Sequence, residues 1–153
     1  MSKIDLVVSI LPVLGALDVL STLFAAWRGY PIHIYEVGPF ASYFAHRGLL
    51  HLYVFLYLGI LSGVAVLLVF MRREVTTRRI CDRLVLIMLV LTACLLEAAI
   101  VNAVVSNLLL GLTGYASPSL LVWLVYASII TAILVYTFND LRESFGLGDH
   151  GKE

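Results

Sequence analysis

Four apolar stretches, each long enough to cross a lipid bilayer, constrain this chain more than any other feature of it. A spanning helix needs about 20 apolar residues, and the runs cover residues 4–27, 49–71, 84–110 and 119–138. Only helices and closed barrels can span, because lipid offers no partner to an open backbone group. The runs lack the two-residue alternation of a barrel strand, so each reads as a helix. Composition agrees: 61% of the 153 residues are hydrophobic and 13% charged. An ordinary soluble domain is roughly half apolar and a quarter charged, and so short a chain could not hide this apolar surface in its own core. The expected fold is an all-α integral membrane protein. It is a four-transmembrane-helix bundle forming one domain over residues 1–153, with the lipid bilayer as its partner.

Lysine and arginine set the expected orientation. Arg72, Arg73, Arg78, Arg79 and Arg83 crowd the loop between helices two and three. With Lys3, Arg142 and Lys152, four helices place eight basic residues on one side, against only Arg28 and Arg47 on the other. The expectation is a multi-pass protein of the cell (plasma) membrane with both termini cytoplasmic. The arginine loop could also bind anionic headgroups, but an orientation signal is its simpler use. Formal net charge is zero, which gives no reason to expect a nucleic-acid partner. A cleaved signal peptide fits poorly, because the first apolar run is too long and carries Asp5 and Asp18.

Residues 28–48 do not fit the helical pattern. The stretch 32–45 is mostly apolar and aromatic but too short to span, so a re-entrant or interfacial segment is expected between helices one and two. Pro31 and the Gly38-Pro39 pair argue for turns rather than one clean helix. Residues 139–153 read as a loose cytoplasmic tail. Cys81 and Cys94 lie 13 residues apart on one predicted helix, roughly 20 Å and too far for a disulfide.

Ionisable residues inside the spans are the informative ones, since each costs at least ~2.5 kcal/mol at the bilayer centre. Asp18 sits nine residues before the end of the first run, and Glu97 lies mid-way along the third. If those helices are antiparallel, the two carboxyls overlap in depth. Without basic partners they would be neutral, share a proton, or hold a cation. Ser21 and Thr22, at i+3 and i+4 from Asp18, would complete such an ion or proton site, with Glu36 at its entrance. The alternative use of either carboxyl is interhelical hydrogen bonding. Asn102 points about 140° from Glu97 at 100° per residue, so helix three has polar groups on more than one face and is expected to be central. Helix packing is the expected use of Asn102, and of Gly59 and Gly63, a G-x-x-x-G that permits close approach. His33, His46 and His51 are candidates for an outer-side metal site with Glu36, although His46 and His51 are five apart, not the i, i+4 of a helical pair. No cofactor signature is present, nor H-E-x-x-H, G-x-S-x-G or a P-loop.

Residues 14–71 resemble a small, uncharacterised prokaryotic integral-membrane family. Its pattern is an Asp and a Ser/Thr-Thr pair, a Gly, Glu-x-Asn-Pro, and a second helix after a further Gly. The matching residues are Asp18, Ser21-Thr22, Gly29, Glu36 to Pro39, and Gly48. Gly38 stands where the family has Asn, and Tyr53 lies near the place of a Lys usual in that second helix. The resemblance implies no reaction, but it draws Asp18 and Glu36 together as residues of interest.

Three functions fit these features. One is a proton- or cation-binding or transport protein using the intramembrane carboxylates. Another is a structural or accessory subunit of a larger membrane complex, or a homo-oligomer, suited by the short ends. The third is an intramembrane hydrolase or lipid-modifying enzyme using the carboxylates and histidines.

Overall fold

The computed structural model describes residues 2–30, 39–74, 80–115 and 118–145, which form six helices and no strand. In chain order they are α1 (Lys3–Ser9), α2 (Leu11–Trp27), α3 (Pro39–His46), α4 (Leu50–Glu74), α5 (Ile80–Thr113) and α6 (Ser119–Ser144). Four spans, namely α1 with α2, then α4, α5 and α6, are long and apolar enough to cross a membrane. Each corresponds to one of the apolar runs.

Boundaries move where hydropathy and helix formation part company. α5 begins at Ile80 and ends at Thr113, beyond the expected 84–110: at its start Asp82 and Arg83 extend the helix past its apolar stretch, and at its end Gly111, Leu112 and Thr113 add a further turn. The same is true at the other end of the chain. Residues 139–144, expected to be loose, continue α6 through Asp140 and Arg142. Asp140 accepts a 2.7 Å hydrogen bond from the backbone N–H of Lys3. The Lys3 ammonium lies 5.4 Å from the centre of the Tyr136 ring. The start of the first span and the end of the last are therefore joined, as an even number of spans requires.

The first span is one apolar run but two helices. Pro12, near the start of α2, has no N–H to donate to the preceding turn, so the ladder breaks at Ile10. Asp5, an interruption by hydropathy, has a local role: it closes a capping box with Ser2, which accepts from the Asp5 N–H at 3.1 Å. Gly29 and Gly48 end α2 and α3 with φ of +97° and +68°. In both, the next two amides fold back onto the last turn, for example Tyr30 N–H to the Ala25 carbonyl at 3.1 Å. Within the segment expected to be re-entrant or interfacial, residues 39–46 are this short α3, packed on α4.

The third helix is the most enclosed span. It lies between α2 and α6, while α4 packs chiefly on the first span. Leu86, Leu89, Val90 and Cys94 of α5 meet Ile4, Val8 and Leu11 of the first span in the core. Close approach happens at two other glycines than those expected. A Cβ on Gly111 would meet the Phe24 ring at 2.6 Å, and one on Gly15 would collide with Leu61. Gly59 and Gly63, expected to pack on a helix, face outward with no other part of the chain within 4 Å. The helix turns that face of α4 away because Leu61, Ala65 and Leu68 occupy its inward side. The outer surface of the spans is largely apolar: Phe55, Val66, Trp123 and Val135 are each at least 70% exposed.

Candidate functional site

Polar side chains from three helices meet at Asp18. The hydroxyls of Ser21 and Thr22 both donate to the Asp18 main-chain carbonyl, at 2.8 and 2.9 Å, as short hydroxylated residues do one turn on. Their protons are thereby committed, so their oxygens offer only lone pairs. Asn107 of α5 supplies the donor. Its Nδ2 lies 2.8 Å from Thr22 Oγ1 and 3.3 Å from Ser21 Oγ, with a longer 3.4 Å contact to Asp18 Oδ1. From α4, the Tyr57 hydroxyl donates to Asp18 Oδ2 at 3.0 Å.

Beside this knot lies a cavity of about 340 Å³, lined by Asp18, Thr22, Tyr53, Tyr57, Asn102, Ser106 and Asn107 among apolar neighbours. Tyr53 and Tyr57, one helical turn apart, stack with centroids 5.7 Å apart and planes 11° from parallel. Phe44 of α3 continues the series, 6.0 Å from Tyr53. Above it, Arg28 Nε donates to the Gly111 carbonyl at 3.0 Å, tying the end of α2 to the last turn of α5.

Glu97 is elsewhere. It is 3% exposed and lies beside Leu6, Val7 and Ile10 of the first span and Ala132, Ile133 and Tyr136 of α6. Asn107, which reaches Asp18, lies ten residues further along the same helix, about 15 Å away. The two carboxyls therefore do not meet, and the stagger of the helices explains why: Leu6, not Asp18, lies level with Glu97. Asp18 pairs with Asn107, Arg28 with Gly111, and Leu6 lies near Glu97. Both numbers rise together, so the first and third spans run parallel, as alternate helices of an up-and-down bundle must. Glu97 lies mid-way along its run, so its depth is the same for either direction, and it is the lengthwise shift of α2 along α5 that separates it from Asp18.

The Oε1 atom of Glu97 is buried and accepts no hydrogen bond among the described residues. A polar atom so placed costs stability rather than adding it. Glu97→Met, similar in volume and apolar, is expected to raise the melting temperature in detergent by a few degrees. A lower melting temperature would mean that the carboxyl holds a partner the apolar surroundings do not reveal.

Asn102, expected to pack helices, lines the Asp18 cavity instead. His46 and His51 are exposed, while His33 and Glu36 lie outside the described residues. Among the described residues, no three His, Cys, Asp or Glu side chains gather closely enough to hold a metal ion. Tyr57 is the residue sequence reasoning passed over, and Asn107, like Asn102, was expected only to pack helices. Their signal was present: tyrosines four apart at 53 and 57, and an asparagine deep in an apolar run.

Fold and site together define a class: an all-helical bundle of four spans with one polar, tyrosine-walled cavity around a carboxylate. No family model, no curated protein and no solved structure matches the chain.

Proposed function

We propose that this is a multi-pass protein of the cell membrane that binds, and moves, a proton or cation at Asp18. The observation that carries the reading is the placement of that carboxylate. It lies within an apolar span, held by Tyr57 and Asn107, and it borders a cavity large enough for a ligand. An ionisable group inside a span is costly and is kept chiefly where it serves a path or a site. Asp18 acts without Glu97, so one carboxylate with hydroxyl and amide neighbours replaces the carboxylate pair.

The apolar outer surface supports embedding in lipid. Trp27, Tyr115 and Trp123 gather near the helix ends on the Arg28 side, where an interfacial aromatic belt would lie. Both termini and the 72–83 loop are then cytoplasmic. Cysteines placed at positions 34 and 76 should label from opposite sides of the membrane; labelling of position 34 from the cytoplasmic side would overturn this orientation.

The functional test uses the purified chain in proteoliposomes, following internal pH with a trapped dye under an imposed proton or cation gradient. The parent and Glu97→Gln should both give a flux. Asp18→Asn, which keeps shape and an acceptor oxygen for Tyr57, should lose it by roughly a hundredfold, the scale of removing a buried charge from a binding site. Equal fluxes in parent and Asp18→Asn would sink the proposal.

A second reading, the accessory or homo-oligomeric subunit, is favoured by the bare Gly59 and Gly63 face. It expects Gly63→Leu to reduce oligomer size in detergent, and an unchanged elution volume counts against it. The enzyme reading, built on the carboxylates and histidines, gains less support, because Glu97 stands about 15 Å along α5 from the Asn107 that reaches Asp18.

A further inference from the structure

We propose that the ligand of the Asp18 cavity is a small organic ammonium ion rather than a bare metal cation. The inference rests on the reading of Asp18 as a cation site and names the class of cation.

The oxygen cluster that could chelate a metal is already filled. Ser21, Thr22 and Asp18 Oδ1 converge on a single point, and the Asn107 amide nitrogen occupies it, 2.8 to 3.4 Å from all three. The amide cannot turn its oxygen there. Both hydroxyl protons are spent on the Asp18 carbonyl, so oxygen would face oxygen. A sodium- or calcium-sized ion would have to displace this nitrogen and would still need further oxygens, about six in all for a hard cation.

What Asp18 offers to the cavity is negative charge beside aromatic walls. Tyr57 both donates to Asp18 Oδ2 and stacks on Tyr53, so the carboxylate and the two rings form one continuous surface. The stacked tyrosine rings, with Phe44 against Tyr53, give the cavity a dehydrated wall beside the carboxylate, and an alkylated ammonium, whose methyl groups carry little bound water, loses least on entering it. Leu23, Val54 and Ala103 line the same cavity. They suit alkyl substituents and give a metal ion nothing. Size points the same way. About 340 Å³ is at the lower end of the roughly 300–1,000 Å³ of small-molecule sites and far exceeds a dehydrated inorganic ion. Asn102 and Ser106 on the α5 wall would hydrogen-bond a hydroxyl or amine substituent of the ligand.

The test is calorimetric titration of the full chain in lipid nanodiscs. The probes are choline, its neutral carbon isostere 3,3-dimethylbutan-1-ol, and sodium chloride. Choline should bind saturably, and the alcohol, identical in shape but uncharged, should not. Sodium chloride at equal ionic strength should not displace choline. Asp18→Asn should weaken choline binding roughly a hundredfold. Tyr53→Leu should weaken it roughly tenfold, the scale of one desolvated ring. Tyr57→Phe keeps the ring and loses only the hydroxyl, so its effect should be smaller than that of Asp18→Asn. The parent comparison of choline with the alcohol needs no variant to fold. Equal binding of the alcohol would overturn the proposal. Sodium binding that depends on Asp18, with no choline binding, would overturn the substrate class and leave the cation reading standing. No response of the parent to choline, sodium or pH would remove both.

Discussion

Gly111→Leu is expected to lower the unfolding free energy by about 3 kcal/mol, the upper end of the usual cost of overpacking a close contact. The α5 backbone at Gly111 lies directly against Phe24 and Ala25 of α2. A single Cβ would already meet two ring atoms of Phe24 at 2.6 and 2.8 Å, and the Ala25 main chain at 3.4 Å. The ring could rotate away from one methyl group, but four side-chain carbons would force the two helices apart. Separation there also lengthens the Arg28 to Gly111 carbonyl bond, now 3.0 Å. Gly63→Leu is the internal control. It points into open space, so the melting curve of the isolated chain should not change. Thermal or denaturant titration in detergent reads both. Equal melting of Gly111→Leu and parent would show that α2 and α5 do not meet at this glycine.

The second large effect belongs to Asp18→Leu, expected to cost about 2 kcal/mol. Removing the carboxylate leaves the Tyr57 hydroxyl without this acceptor and the Asn107 amide short of one. A buried polar group stripped of its partner costs about 1–3 kcal/mol. The upper end of that range does not apply here, for two reasons. Interhelical hydrogen bonds in membranes average only about 0.6 kcal/mol, and Asn107 keeps Thr22 and Ser21. Asp18→Asn retains an acceptor oxygen for Tyr57 and should stay within about 1 kcal/mol of the parent by the same comparison. The two substitutions therefore separate roles: Asn removes the charge and the long contact from Asn107 but keeps the acceptor for Tyr57, while Leu removes the charge and both polar contacts. Losses of equal size in both would mean that the charge itself stabilises the bundle.

Much of the architecture was legible in the sequence because it follows from hydropathy and local chemistry. Runs of more than 20 apolar residues can do little but form spans. Ser2 with Asp5, and Gly29 and Gly48 after their helices, are local end signals of the same kind, which the hydropathy reading passed over. Asp18 with Ser21 and Thr22 was likewise readable, since i+3 and i+4 neighbours share a helix face whatever surrounds them. The tertiary structure decided everything that depends on how one helix sits against another. Hydropathy fixes that a helix spans but leaves its rotation and its neighbours free. Only packing could turn Gly59 and Gly63 outward, bring Gly111 against Phe24, and set Asn107 rather than Glu97 at the depth of Asp18. The separation of Asp18 from Glu97 is the clearest case. It depends on how far the first span is shifted lengthwise along α5, and no spacing within either helix encodes that.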